Sequence, residues 1–412
     1  MTKIERNTNL FLVLILLFIS AKGSIVALSD MTLVFALLVS IHVFIKRRLV
    51  IDRIFVFVII GYICLTALYL WEFGWINVTS SSRVLLKLIL GYSVIKSVQE
   101  DLFLIFERIV VKLALISLPL YAIQLVSFST LKQIVGWFES LFPAFNYRGD
   151  WYVNTFFFTM NENGMYRNSG FAREPKGFAT FLVFAILINL MRNQFRSSKS
   201  LIILLIALTT TLSTVGFFVV VTCVFYVYFR NQQTTISKLF IPLYLVLSFG
   251  VFSLDFMYDK IENEVDNRSS HLKYVNVETD ANSITLGRFG SMQLALLEFP
   301  KHPLIGIGMQ DSERIQGKHT YLVWVNGLAD WLSRFGIIGM IFLLLSYALS
   351  SKWLFYYFNA KGAWAWVIAC FFLFFASAVI INPFFMAFQC YGFTKGSFKK
   401  LALNTNHINL KI

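Results

Sequence analysis

Eleven apolar runs, most of them separated by only a few polar residues, leave this chain one solvent in which it can fold. They lie near residues 9–29, 31–45, 54–71, 83–98, 109–127, 176–191, 200–213, 215–229, 239–254, 335–351 and 363–381. No water-soluble interior holds that much. With 57% hydrophobic residues, 14% charged, 44 phenylalanines and a mean hydropathy of +0.69 over 412 residues, the bilayer must solvate most of the surface. Lipid satisfies no free backbone amide, so the spans must be helices. The expected fold is an all-α polytopic integral membrane protein of about eleven or twelve transmembrane helices, residues 383–394 supplying the twelfth. Several runs are short for a span, and the pair around 200–229 reads either as two spans or as one broken helix.

Charge orients the spans. Lys46, Arg47, Arg48 and Arg53 follow the second run, and Lys96, Arg108 and Lys112 flank the next return. Arg192, Arg196 and Lys199, then Arg230 and Lys238, then Lys352 and Lys361 recur at alternate turns. The positive-inside rule puts these in the cytoplasm together with the N-terminus. Two long polar loops, 128–175 and 255–334, then fall together on the outside, and the large one holds half of the chain's 22 acidic residues. The net charge of +14 therefore belongs beside the membrane lipids of the inner leaflet and calls for no nucleic acid. The chain divides into N-terminal spans (1–127), a first outer loop (128–175), central spans (176–254), a large outer loop with amphipathic helices (255–334), and C-terminal spans with a basic tail (335–412).

Lys3 and Arg6 ahead of the first run resemble a secretion signal, but a second span follows at once, which favours an uncleaved anchor. Cys64, Cys223, Cys370 and Cys390 share no short spacing and read as small buried hydrophobes. No repeat, low-complexity tract or detachable soluble domain is evident.

Three constellations mark the outer loops. The first, Arg167-Asn-Ser-Gly-Phe-Ala-Arg-Glu-Pro175-Lys176, crowds Arg167, Arg173 and Lys176 at a helix N-terminus begun by Pro175. Unpaired amides there already favour an anion, and arginine can fork two bonds onto one phosphate. It reads either as a phosphate or pyrophosphate clamp or as an interfacial cluster in which Glu174 pairs with an arginine. The second runs from Gly287-Arg288-Phe289 to Glu298-Phe-Pro-Lys-His302-Pro-Leu-Ile-Gly306-Ile-Gly308 and predicts a short amphipathic helix lying on the membrane, with Arg288 near its start. In the third, Asn326, Asp330 and Arg334 stand at i, i+4 and i+8 on a predicted helix, one polar stripe beside Trp324 and Trp331. Such a stripe binds sugar hydroxyls or is simply a wet face. His319, just upstream, titrates near neutrality and is a candidate general base.

His42, His271, His302 and His407 show no metal-ligand spacing. With no nucleotide-binding glycine loop and no Gly-x-Ser-x-Gly elbow, neither a cofactor nor a catalytic metal is expected. The substrate would arrive already activated.

The order of these motifs resembles the bacterial O-antigen polymerase and O-antigen ligase superfamily. The likeness covers the order of spans across most of the chain, while its sharp motifs occupy only about forty residues. The family implies a GT-C-like, metal-independent glycosyltransferase of the inner membrane, acting at the periplasmic face on glycans carried by undecaprenyl pyrophosphate. It also implies a chain-length regulator protein as partner. Carried over by position, Arg167 and Arg288 would hold the donor pyrophosphate, with Arg173 beside them, while Asn326 and Arg334 would contact the glycan. His319, Asp330 and Glu298 are the candidates for the base. Lys176 departs from the Asn common after the motif's proline, and Val325 stands where ligases commonly carry His. The second departure favours polymerase over ligase. A lipid-linked oligosaccharide flippase is the third possibility, but it should carry charges along mid-span, where only isolated ones such as Lys22 and Lys87 occur.

Overall fold

A computed structural model describes residues 2–23, 25–142, 146–148, 152–161, 166–231, 284–285, 287–310, 322–323 and 325–394. The bundle is built from α1 (Lys3–Ala21), α2 (Asp30–Lys46), α3 (Arg53–Phe73), α4 (Val78–Val98), α5 (Asp101–Val126), α6 (Phe128–Leu141), α7 (Pro175–Arg192), α8 (Lys199–Thr210), α9 (Thr214–Asn231), α10 (Arg288–Glu298), α11 (Gly327–Tyr357), α12 (Trp364–Ala376) and α13 (Pro383–Thr394). Six of these, α1, α3, α4, α5, α7 and α11, are long and apolar enough to cross a membrane. Three more apolar helices, Lys199–Thr210, Thr214–Val227 and Trp364–Ala376, are shorter. Against the eleven or twelve spans expected, six such helices occur among the described residues, and the run 239–254 lies outside them.

Local chemistry sets the helix ends. Thr2 and Glu5 form a capping box at α1. Asn77 caps α4 by accepting from the Ser80 amide at 3.0 Å. The helix expected over 383–394 is α13, begun by Pro383, while the helix expected over 363–381 is shorter than its run. The chain leaves α12 at Ala376, passes through residues 377–382 and starts α13 at the proline, which favours a helix start and disfavours helix in the residue before it. The 200–229 region is two helices parted at residues 211–213.

Helix α7 is the axis of the bundle, with 83% of its residues buried, whereas only 11% of an 18-residue stretch of α3 is. Lipid tails are as apolar as leucine, so close side-chain packing must hold such helices together. Aromatic rings do much of it. Phe106 stacks on Phe384 at 4.3 Å, Phe184 meets Trp366 at 4.7 Å and Trp366 meets Phe388 at 4.5 Å, joining α5, α7, α12 and α13. Buried charges cross-link one end. Lys96 Nζ donates to both Asp52 oxygens at 2.8 and 2.7 Å, Tyr92 donates to Asp52 at 2.8 Å, and Arg192 pairs with buried Glu107 at 3.0 Å. At this same end Arg47 donates to Asn9 and to the Ser97 carbonyl, and Gln194 donates to the Phe358 carbonyl. The basic connections therefore share one face.

The opposite face gathers the ends of α1, α8 and α12 and the starts of α7, α9 and α11. The Arg173 amide donates to the Ala21 carbonyl at 3.3 Å, Asn168 to Thr210 at 2.9 Å, and Asn382 to the Ser20 carbonyl at 3.0 Å. Here the all-α expectation is modified. Within 128–175 the chain forms α6 and a three-stranded antiparallel sheet of β1 (Asn146–Arg148), β2 (Tyr152–Thr155) and β3 (Thr159–Asn161), with β2 central. A two-residue parallel pairing joins Ile284–Thr285 to Leu322–Val323. Cys223, Cys370 and Cys390 are buried thiols, while Cys64 is exposed on the periphery of α3 rather than buried as expected.

Candidate functional site

The Arg167–Pro175 segment is fixed before it offers any function. Asn168 is fully buried: its Oδ1 accepts from the Gly170 amide at 2.8 Å, a short side-chain turn, while its Nδ2 donates to Ser117 Oγ at 3.2 Å and Thr210 Oγ1 at 3.0 Å. The sheet grips the other side, where Thr159 donates from its amide to the Gly170 carbonyl and from its hydroxyl to the Ala172 carbonyl, each at 2.6 Å. Arg167 emerges from this frame half-buried. Its Nε donates to the Thr211 carbonyl at 3.1 Å, its single hydrogen bond among the described residues, which leaves both terminal nitrogens as donors.

Arg288 arrives from the other long loop as the first residue of α10, which packs on α11 and buries Leu294 and Ala295. The buried Asn326 ties it down. Its Oδ1 caps α11 by accepting from the Ala329 amide at 3.0 Å, while its Nδ2 donates to the Arg288 carbonyl at 3.1 Å.

A cavity of about 240 Å³ lies between these segments, lined by Arg167, Lys176, Arg288, Glu174, Ser213 and Thr214, among others. Three cations face one carboxylate, and Lys176 and Glu174 pair at 3.1 Å. Two helices, α7 at Pro175 and α9 at Thr214, begin at its wall, so their first amides and the positive ends of their dipoles add to the field. Burial lowers the Arg167 pKa, the like charge of Arg288 lowers it further, and Glu174 opposes both. An anion seated between the two guanidiniums would relieve that repulsion.

The other sequence candidates lie elsewhere. Arg173 is exposed and outside the cavity lining. Asp330 and Arg334 pair with each other at 3.0 Å, as their spacing allows, and Arg334 also reaches Met309 Sδ at 3.0 Å. Neither lines the cavity. Asn326, expected on a glycan-binding stripe, is 0% exposed and occupied in capping and in holding Arg288. Glu298 is buried at the α10–α11 contact, where it accepts a hydrogen bond from Ser333. His319 lies outside the described residues. Among the described residues no cluster of His, Cys, Asp or Glu is arranged to hold a metal ion.

The His302–Gly308 motif serves α11 rather than the cavity. At Gly336 the helix breaks (φ 58°), and the motif fills the break: Ile307 N donates to the Ser333 carbonyl at 3.0 Å and Gly308 N to the Arg334 carbonyl at 2.8 Å. Tyr69 adds its hydroxyl at 2.6 Å from the Ile305 carbonyl and 2.9 Å from that of Arg334. His302 Nδ1 lies 2.8 Å from Glu72 Oε1, which pins the motif to the end of α3.

The start of α9 was the part of the site missed from sequence. Ser213-Thr214 ahead of an apolar run is an N-terminus signal, obscured because the preceding run ends there without a loop. No family model matches the chain, and no curated protein matches it closely enough to count as a relative.

Proposed function

We propose that the protein is an O-antigen (surface polysaccharide) polymerase, a metal-independent glycosyltransferase joining undecaprenyl-pyrophosphate-linked oligosaccharide units at the periplasmic face of the bacterial inner membrane. The observation that carries this reading is the convergence of Arg167, Lys176 and Arg288 with two helix N-termini on one cavity, at the face opposite the basic connections. That arrangement suits a pyrophosphate held at the membrane surface.

In the reaction, a hydroxyl oxygen on the terminal sugar of one lipid-linked unit attacks the anomeric carbon at the reducing end of another chain. The bond from that carbon to the pyrophosphate oxygen breaks, its electron pair leaves with the pyrophosphate, and the hydroxyl proton is released. Charge grows on the leaving oxygen, where the two guanidiniums and Lys176 are already in place, so stabilisation needs little reorganisation. With Glu298 bonded to Ser333 and Asp330 paired with Arg334, positioning and leaving-group stabilisation carry most of the rate in this mechanism. A chain-length regulator protein is the partner expected of such an enzyme.

The test is the surface polysaccharide of a deletion strain, sized on a gel beside its extracted lipid-linked glycans. Single repeats on a normal anchor support the proposal. Long chains stranded on undecaprenyl pyrophosphate would make the protein a ligase, a single lipid-linked repeat confined to the cytoplasmic leaflet would make it a flippase, and an unchanged profile would remove the assignment.

A further inference from the structure

Helix α6 has an apolar stripe that no described part of the protein covers. It follows α5 after one residue: Ser127 N donates to the Ile123 carbonyl at 2.8 Å, closing α5, and Ser127 Oγ accepts from the Thr130 amide at 3.4 Å, opening α6. At 14 residues, about 21 Å of helix, α6 is too short to cross a bilayer. Leu131 and Val135 make its inner face and pack on Val153, Phe158 and Met160 of the sheet and its turn, a small core separate from that of the bundle. Beside that face runs a second apolar row, Ile134, Trp137 and Leu141 at i, i+3 and i+7, which are 39%, 65% and 50% exposed. Ser129 and Gly136, both exposed, lie away from this row on the other side of the helix.

The row continues a lipid-facing surface. It extends from Leu125 and Val126, 51% and 87% exposed in the last turn of α5, a helix of membrane-crossing length. Tryptophan also suits the water–lipid boundary, since its ring is apolar while its indole N–H needs a polar partner. We propose that α6 docks in the headgroup layer of the membrane, with Ile134, Trp137 and Leu141 turned toward the acyl chains.

The consequence reaches the cavity. The sheet resting on α6 ends in Asn161, which lines it, so the docked helix sets the cavity's depth at the headgroup layer, where a lipid-borne phosphate resides.

Spin-label accessibility in lipid nanodiscs tests it. Cys64 is the one exposed cysteine, so a Cys64→Ser background allows nitroxides to be placed singly by Trp137→Cys, Ile134→Cys, Ser129→Cys and Gly136→Cys in the full chain, and a Cβ at Gly136 would meet nothing within 4 Å. The expected result is that labels at 137 and 134 collide more with oxygen than with a water-soluble nickel chelate, with the ratio inverted at 129 and 136. Should Trp137→Cys fail to fold, Ile134→Cys reads the same stripe. A nickel preference at 137 and 134 would show the stripe facing water. Exclusion of both reagents there would show it covered by protein, a second copy or another partner. Either result overturns the proposal.

Discussion

Replacing Asn326 should weaken both the fold and the site, in separable amounts. Its side chain makes two bonds from a fully buried position, one capping α11 and one holding the carbonyl of Arg288. Loss of an Asn cap to Ala costs about 1 kcal/mol. A carbonyl left without its donor in a partly buried setting costs about 1–3 kcal/mol more. Asn326→Ala should therefore lose roughly 2–4 kcal/mol. Asn326→Ser keeps a capping oxygen but is too short to reach Arg288, so it should recover only the ~1 kcal/mol of the cap. Denaturation of the purified protein in detergent should rank wild type above Ser above Ala. Because both variants release Arg288, both should also lose affinity for a pyrophosphate lipid at temperatures where they remain folded. Unfolding of Asn326→Ala together with wild type, or Ser no better than Ala, would refute the division into capping and positioning.

The kink in α11 carries its own prediction. Gly306 sits at φ 68°, and a Cβ there would lie 2.5 Å from the Ser333 oxygen, so Gly306→Ala should expel the loop from the break and leave little folded protein by size-exclusion chromatography. Tyr69→Phe removes the hydroxyl bridging the Ile305 and Arg334 carbonyls and should lower stability by about 1–3 kcal/mol, read in the same denaturation series. At the basic face, Lys96→Met leaves Asp52 buried and should cost about 3–5 kcal/mol, much of it recovered when Asp52→Asn is added. An equal loss in the single and double variants would argue against an uncompensated charge as the cause.

Long apolar runs made most spans legible, because the bilayer enforces helix wherever such a run occurs. The boundaries were less so. The 335–351 run matches only the apolar part of α11, whose first two turns carry Asp330 and Arg334 and pack on the His302 loop. The sheet in 128–175 was hidden because strands of three or four residues in a mixed loop leave no usable alternation. Arg167 and Arg288 stand out in sequence because their motifs carry Gly, Pro and helix-start signals around the charge, and the fold brings both to one cavity. A capping Asn and a sugar-binding Asn look the same in sequence; the structure shows Asn326 buried, capping α11 and donating to the Arg288 carbonyl. Arg173 stands close to Arg167 in the chain, but it is exposed and does not line the cavity.

The central claim is that Arg167 and Arg288 together hold a pyrophosphate. Equilibrium binding of undecaprenyl pyrophosphate to the purified protein in nanodiscs, compared among wild type, Arg167→Ala and Arg288→Ala, measures it directly. A charge-assisted bond is worth about 1.5–3 kcal/mol, so each variant should bind roughly ten- to a hundredfold more weakly while melting close to wild type. Unchanged affinity in both variants, at equal folded protein, would contradict the account.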